Sequence, residues 1–383
     1  MRRLRHLLKL GQRKMETSSS AVSPLEDRVL GCLYGQAIGD ALGTRYEFKS
    51  ALMTQNMIRK DLQNRDGVEF LPILGGGPFG LIPGEVTDDT EMAMALARSL
   101  LRKSAYEQDD VARSYMRWVG SGPKDIGNTT VAALSLMGVT AESADALARV
   151  EEAARQRNSA SQSNGCLMRI SPLAIAAVHW PVETMAHCAR RNCVLTNPHV
   201  NCQHAVQVYT TAIHSLLKGK SVEETYELCE QLAKSGKMTV VSDLLSLAKE
   251  RAVPVVLEDG REVLGDDRAM GYFGVALQSA FHELWKLRAG PLESGRFHDA
   301  LVDIIRRGGD TDTNGCIGGA LLGALHGASK MPAEWKRTVR EAKSKRAYSS
   351  SRRSSFADVQ LADIEEVALQ LTKCAQPRPA ENA

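Results

Sequence analysis

The chain has 383 residues, 43% of them hydrophobic and 24% charged, with a net charge of +3. That length can bury a sizeable core in one large domain or two. So small a net charge argues against nucleic acid as a global partner, and no apolar stretch is long enough to span a membrane.

In chain order, residues 1–26 read as a basic extension. Arg2, Arg3, Arg5, Lys9, Arg13 and Lys14 precede the first acid, and Leu4, Leu7, Leu8 and Leu10 allow a short amphipathic helix before a serine linker. Lys9 breaks the apolar part, so a secretory signal is not expected, whereas the Arg- and Ser-rich composition leaves a mitochondrial address open. From Pro24 the chain becomes globular. The spacing predicts a helix over Asp27–Leu42 with Gly31, Gly35, Ala37 and Gly39 on a contact face. A Gly/Pro loop over residues 75–84 then delivers Thr87-Asp88-Asp89-Thr90 to a helix over Glu91–Leu101. Helical patterns follow at Ala141–Arg157, Pro172–Val178, Val182–Cys193, Cys202–Leu217, Val222–Leu232 and Val240–Arg251. Val253–Leu257 and Glu262–Leu264 suggest one short hairpin around Asp259-Gly260. Gly271–Leu287 and Arg296–Ile305 read as helices, and the second leads into Asp310-Thr311-Asp312-Thr313 and a further helix, Ile317–Leu325. The tail holds a basic, Ser-rich run from Lys343 to Arg353 and a docking helix at Ile364–Leu371.

The two Asp/Thr clusters carry the chemistry. Asp and Thr ahead of a helix are ordinary N-caps, and for one cluster alone capping is the simple explanation. A cap uses one oxygen, however, and adjacent carboxylates repel unless a cation neutralises them. Two glycine-flanked clusters of the same composition therefore predict that the fold brings them together as a magnesium- or manganese-type site. Paired metals of that kind clamp substrate oxygens or activate a water.

Four segments stand in order: GQAIGDALG at Gly35–Gly43 with Glu47 after it, PGEVTDDTEM at Pro83–Met92, SNGCLMRISP at Ser163–Pro172, and RGGDTDTNGCIGGALLG at Arg307–Gly323. Together they resemble the ADP-ribosylglycohydrolase family over roughly residues 27–340. The resemblance implies an all-α protein, a large single-domain orthogonal helical bundle around a binuclear magnesium or manganese centre. It implies metal ligation by Thr87, Asp88 and Asp89 on one side and by Asp310, Asp312 and Thr313 on the other, with Asp312 bridging. Glu47 and Asp125 match carboxylates near the reaction, and Asp125 matches one used on ADP-ribosyl-arginine. Ser161, Ser163, Asn164 and Gly165 match the loop that holds the distal ribose and diphosphate. Backbone N–H groups around Gly127, Asn128 and Gly165 suit the diphosphate, as glycine-rich helix starts do. Where the family has Thr-His-Pro, this chain has Thr196-Asn197-Pro198-His199, so His199 is a candidate replacement for the missing imidazole.

The expected activity is removal of ADP-ribose from a mono-ADP-ribosylated protein side chain, arginine first, with serine-linked or small ADP-ribosyl substrates as alternatives. A second expectation is an immunity role, with the basic arm occluding the acidic NAD cleft of an ADP-ribosyltransferase toxin. The protein is expected to be a cytoplasmic monomer without a membrane or nucleic-acid partner, with residues 341–383 belonging to the domain over 27–340. Eight cysteines without a CxxC pair predict buried free thiols. The Cys/His stretch from His187 to His204 lacks zinc spacing. Arg169 reads as structural, Trp180, Trp285 and Trp335 as packing residues, and Asp40 as either a ligand orienter or a local turn former.

Overall fold

The computed structural model describes residues 22–63, 70–342 and 358–377. The basic arm up to residue 21 and the basic run Lys343–Arg353 lie outside the described residues. The architecture is all-α, with sixteen α-helices among the described residues and one two-stranded ribbon. No described helix is long and apolar enough to cross a membrane.

Helix α1, Pro24–Gly43, starts at a capping box. Ser23 Oγ accepts from Glu26 N, Glu26 reaches back to Ser23 N, and Pro24 sits at the first helical position, where its missing N–H is no loss. This helix lies antiparallel against Thr311–His326, here α14, along a seam of glycines. A Cβ on Gly35 would stand 2.1 Å from Gly319 O, one on Gly39 1.9 Å from Gly315 O, and one on Gly43 2.2 Å from Thr311 O. Only glycine permits so close an approach of backbones, and the seam fixes the register of the two helices. The end of α1 therefore meets the start of α14, where Thr311 Oγ1 donates to Gly43 O at 2.7 Å.

Other helices surround this pair. Helix α3, Asp88–Lys103, is tied to α1 by Asp40, a fully buried carboxylate. Asp40 accepts from Thr87 N at 3.0 Å, Thr87 Oγ1 at 3.1 Å and Thr90 N at 3.1 Å. Helices Phe273–Lys286 (α12) and Ser294–Ile305 (α13) cover the other side of α14. The C-terminal helix Ile364–Leu371, α16, docks on α1 and α3 through Tyr34 Oη to Glu365 at 2.6 Å and the Arg98–Asp363 ion pair at 2.6 Å.

The hairpin forms with Val255 opposite Val263. Two predicted helices start later than their periodicity suggests. Residues 140–143 make a turn instead, with Thr140 N on Ser143 Oγ and the Arg113 guanidinium on the carbonyls of Ala141 and Ser143, so that helix begins at Ala146. Gly271 and Tyr272 pair with residues 162–164, so α12 begins at Phe273. Four helices were not evident from the sequence pattern: Ala51–Gln63, Gln108–Gly120, Asn128–Leu134 and Ala333–Glu341. All eight cysteines are free and buried. Trp180 and Trp335 are buried, each donating to a main-chain carbonyl. Arg169 is fully buried against Asn192 and the ring of Tyr115.

Candidate active site

The glycine seam and the Asp40 knot bring the N-termini of α3 and α14 to one point. A cavity of ≈ 330 Å³ opens there. One wall is acidic, made of Glu47, Asp88, Asp125, Asp310 and Asp312, with Thr313 beside them. No lysine or arginine lines the cavity, and none of these five carboxylates is in an ion pair among the described residues. The other wall is loop and helix start: Gly127, Asn128, Thr129 and Thr130, then Ser163, Asn164 and Gly165, with Met168, Met270 and Gly271.

Neither cluster caps its helix. Thr87 and Asp310 occupy the N-cap positions, yet neither side chain makes a cap hydrogen bond. Asp125 does not cap the helix Asn128–Leu134 either; Gly127 N donates instead to Asp88 Oδ2 at 3.1 Å. The carboxylates are held facing one another. Ligand oxygens of Glu47, Asp125 and Asp312 all lie within 4.8 Å of one another.

Such crowding resists ionisation. Burial, reinforced by Asp310, Asp125 and Asp88, pushes Glu47 up to about 9. Burial, then Asp88 and Asp310, raises Asp125 to about 8. Asp88 rises to about 6, also through burial, with the Gly127 N–H pulling the other way. Asp89 and Asp312 are likewise raised by burial and by their acidic neighbours. Glu47 Oε2, Asp89 Oδ1 and Asn314 Oδ1 are buried without a hydrogen-bond donor. Orphaned oxygens are rare in a folded interior, and a set of hard, anionic oxygens with no protein cation suits a hard metal ion. The acidic cluster thus fits metal binding.

The loop wall is braced by amides. Asn164 Nδ2 donates to Asp310 Oδ2 at 2.7 Å, linking the two walls. Asn197 Nδ2 holds Ser163 Oγ at 2.8 Å and Ser163 O at 3.2 Å. Asn158 Nδ2 joins Thr129 O at 2.8 Å to Thr196 O at 2.9 Å.

Eleven of the residues singled out in the sequence line the cavity: Glu47, Asp88, Asp125, Gly127, Asn128, Ser163, Asn164, Gly165, Asp310, Asp312 and Thr313. Four do not. Thr87 and Asp89 stand behind the wall, with Thr87 Oγ1 between Asp40 Oδ1 at 3.1 Å and Asp89 Oδ2 at 2.8 Å. Ser161 braces Thr129, hydroxyl to hydroxyl, at 3.0 Å. His199 is a correction: its Nδ1 accepts from Asn201 N at 3.2 Å and caps the helix Val200–Leu217, while Asn197 itself does the loop-holding. Phe48, Thr129, Thr130, Met168, Met270 and Gly271 line the cavity unforeseen. Met168 lies within the segment Ser163–Pro172 and Gly271 at the start of a predicted helix, but Thr129 and Thr130 fall on a helix the sequence pattern did not show, and nothing in the sequence marks Phe48 or Met270 as site residues.

The sequence model of the ADP-ribosylglycohydrolase family matches residues 21–377. The chain is similar to the ADP-ribosylarginine hydrolase Tri1 of Pseudomonas putida (strain GB-1), 29% identical over 325 residues, which cover 82% of this chain and 74% of that one. It is also similar to the ADP-ribosyl-[dinitrogen reductase] glycohydrolase of Rhodospirillum rubrum, 25% identical over 314 residues, covering 81% and 90% of the two chains. Among solved structures it resembles a chain titled "ADP-ribosylglycohydrolase-related protein complex", with a TM-score of 0.61, 25% identity, and coverage of 91% of this chain and 98% of that chain. This chain belongs to the ADP-ribosylglycohydrolase family.

Proposed function

We propose that this protein is a metal-dependent hydrolase that removes ADP-ribose from mono-ADP-ribosylated arginine on proteins. The observation that carries the reading is the cavity itself. Five carboxylates and no lysine or arginine face a wall of glycine, serine and asparagine at helix and turn starts. The name of the Pseudomonas relative supports the arginine linkage, and Asp125 suits it chemically, because a carboxylate pairs with a guanidinium.

Asp88, Asp310, Asp312 and Thr313 on the cavity wall, with Thr87 and Asp89 directly behind it and Asp89 Oδ1 still without a donor, would hold two divalent cations of the magnesium or manganese class. When bound, such ions grip ribose oxygens and lower the pKa of a water. The chain's own residues do the rest. In the reaction the bond from the anomeric carbon to the guanidine nitrogen breaks and positive charge grows on the sugar, as in other glycoside hydrolyses. The acidic wall stabilises that charge. Water gives its hydroxyl to the anomeric carbon, and its proton passes to the departing guanidine. Asp125 Oδ and Glu47 Oε stand close enough to each other to receive and return that proton. Asp125 then pairs with the freed guanidinium. The N–H groups of Asn128 and Gly165 orient the diphosphate away from the carboxylates, while that of Gly127 stays on Asp88 Oδ2.

The test is release of free ADP-ribose from an arginine-ADP-ribosylated protein, with wild type beside Asp310→Ala, first with magnesium or manganese and then with chelator. Release that needs both the metal and Asp310 is the expected result. A folded, metal-loaded protein that releases nothing from arginine but acts on serine-linked substrate would overturn the linkage.

A further inference from the structure

Phe48 stands apart from the chemistry around it. It lines the cavity, yet 54% of it is exposed. It is the only aromatic among the large apolar residues that the described surface leaves exposed. A side chain that both lines a cavity and meets solvent sits at its mouth. Its backbone is also unusual, with φ at 61°. Two other non-glycine residues share that sign, Ser104 and Lys237; both sit just past the end of a helix, where a left-handed residue is commonplace. Phe48 follows only a short 3-10 turn, and for a bulky residue the left-handed region is a genuine outlier. The conformation is locked in place: Phe48 N donates to Gly309 O at 2.9 Å, and Gly309 N donates to Lys49 O at 2.8 Å. Strain held this firmly at a site mouth points to function.

Two more large apolar side chains are exposed close by in sequence. Leu52 and Met53, in the first turn of the helix Ala51–Gln63, are 70% and 53% exposed. Three large exposed apolar side chains thus fall within six residues, and the first of them lines the acidic cavity. Glu47 precedes Phe48, and Asp310 follows the glycine that holds it. This rim therefore adjoins the carboxylates that face the scissile bond, where the modified side chain must enter.

We propose that Phe48, with Leu52 and Met53, forms a docking rim for the polypeptide that carries the ADP-ribosylated side chain, so that the enzyme prefers protein-linked to free ADP-ribosyl substrate. The inference rests on the hydrolase reading above. Its occupant is an apolar side chain flanking the modified residue, since aromatic anchors at the centre of an interface carry much of its binding energy.

The experiment compares an arginine-ADP-ribosylated protein with free ADP-ribosyl-arginine. Phe48→Ala should lower the ratio of kcat/KM for protein over kcat/KM for the small substrate by about 10-fold, mostly through KM on the protein. Phe48→Leu should recover most of it. Leu52→Glu, outside the cavity, should lower turnover of the protein about 3-fold and leave the small substrate and the melting temperature unchanged. An equal loss on both substrates would mean that Phe48 contacts ADP-ribose itself or only supports the fold. No change in the ratio with any of the three variants would also overturn the rim. A wild type inactive on both substrates would instead sink the hydrolase reading, and the rim with it.

Discussion

The two walls of the cavity are built by different means. The acidic wall hangs on helix ends that cannot shift, because backbone packs on backbone along the glycine seam and Asp40 ties three main-chain and hydroxyl donors of α3 to α1. The loop wall is held by single amide side chains, Asn158, Asn164 and Asn197. Rigid helix termini suit groups whose mutual distances decide ion binding. Loops laced by amides suit a site that must accept a flexible nucleotide. Damage to the first wall should be close to all-or-none, and damage to the second should be graded.

The largest effect tests the seam. Gly39→Val places a side chain where a Cβ already stands 1.9 Å from Gly315 O. It should destabilise the protein by about 3 kcal/mol or more, read as a collapse of the thermal transition. A variant that melts like wild type would show that the helices can separate and that the wall is not rigid.

Next comes the acidic wall itself. Asp312→Asn should lower turnover at least about 100-fold, given that even groups behind a metal ligand are worth 10- to 100-fold. It should also make the stability of the chelated protein fall less steeply with pH, because Asp312 is one of the groups whose ionisation burial and its acidic neighbours oppose. The same crowding sets a pH dependence. Folding raises Glu47 from its ordinary 4.5 to about 9 and Asp125 from 3.8 to about 8. The folded state then binds more protons than the unfolded state across that window. Stability must therefore fall as pH rises from about 4.5 to about 9. Melting temperatures in chelator should decline over this range, and magnesium or manganese should flatten the decline. Parallel curves with and without the ion would break the metal assignment.

The loop wall should respond more mildly. Asn197→Ala removes both bonds to Ser163 and should raise KM about 10-fold with a smaller change in kcat. An abrupt loss of all activity would erase the distinction between the walls. Smallest of all, His199→Ala should leave turnover intact and cost about 1 kcal/mol of stability, the ordinary worth of an N-cap. A large loss of activity would return the imidazole to the site.

How much of this was legible in the sequence depends on the kind of residue. The Asp/Thr clusters were legible because four carboxylates concentrated in two short stretches have few other physical reasons to exist. The small-residue face of α1 was legible too, but its partner was not, since a glycine stripe does not say which helix it meets. Within the first cluster, helical phase sends Asp88 into the cavity and Asp89 behind it, and no local pattern marks that difference. Asp40 looked equally like a turn former; its three donors come from residues 47 and 50 positions away. His199 misled because an imidazole near a missing imidazole looks like a substitute, whereas helix geometry gave it a capping partner two residues on.

The docking of α16 has a consequence for biosynthesis. The bond between Thr311 and Gly43 closes a loop of 268 positions, and the helix that clamps α1 to α3 begins only at Ile364. Contacts this distant in sequence form late and slowly. A nascent chain therefore emerges with Asp40, Glu47, Asp88 and Asp89 already made but with no partner carboxylates to meet. Polypeptides released before α14 hold half of an acid centre and no complete core, and they are substrates for chaperones and proteases. The order of the segments makes synthesis through α14 a precondition for the cavity to exist.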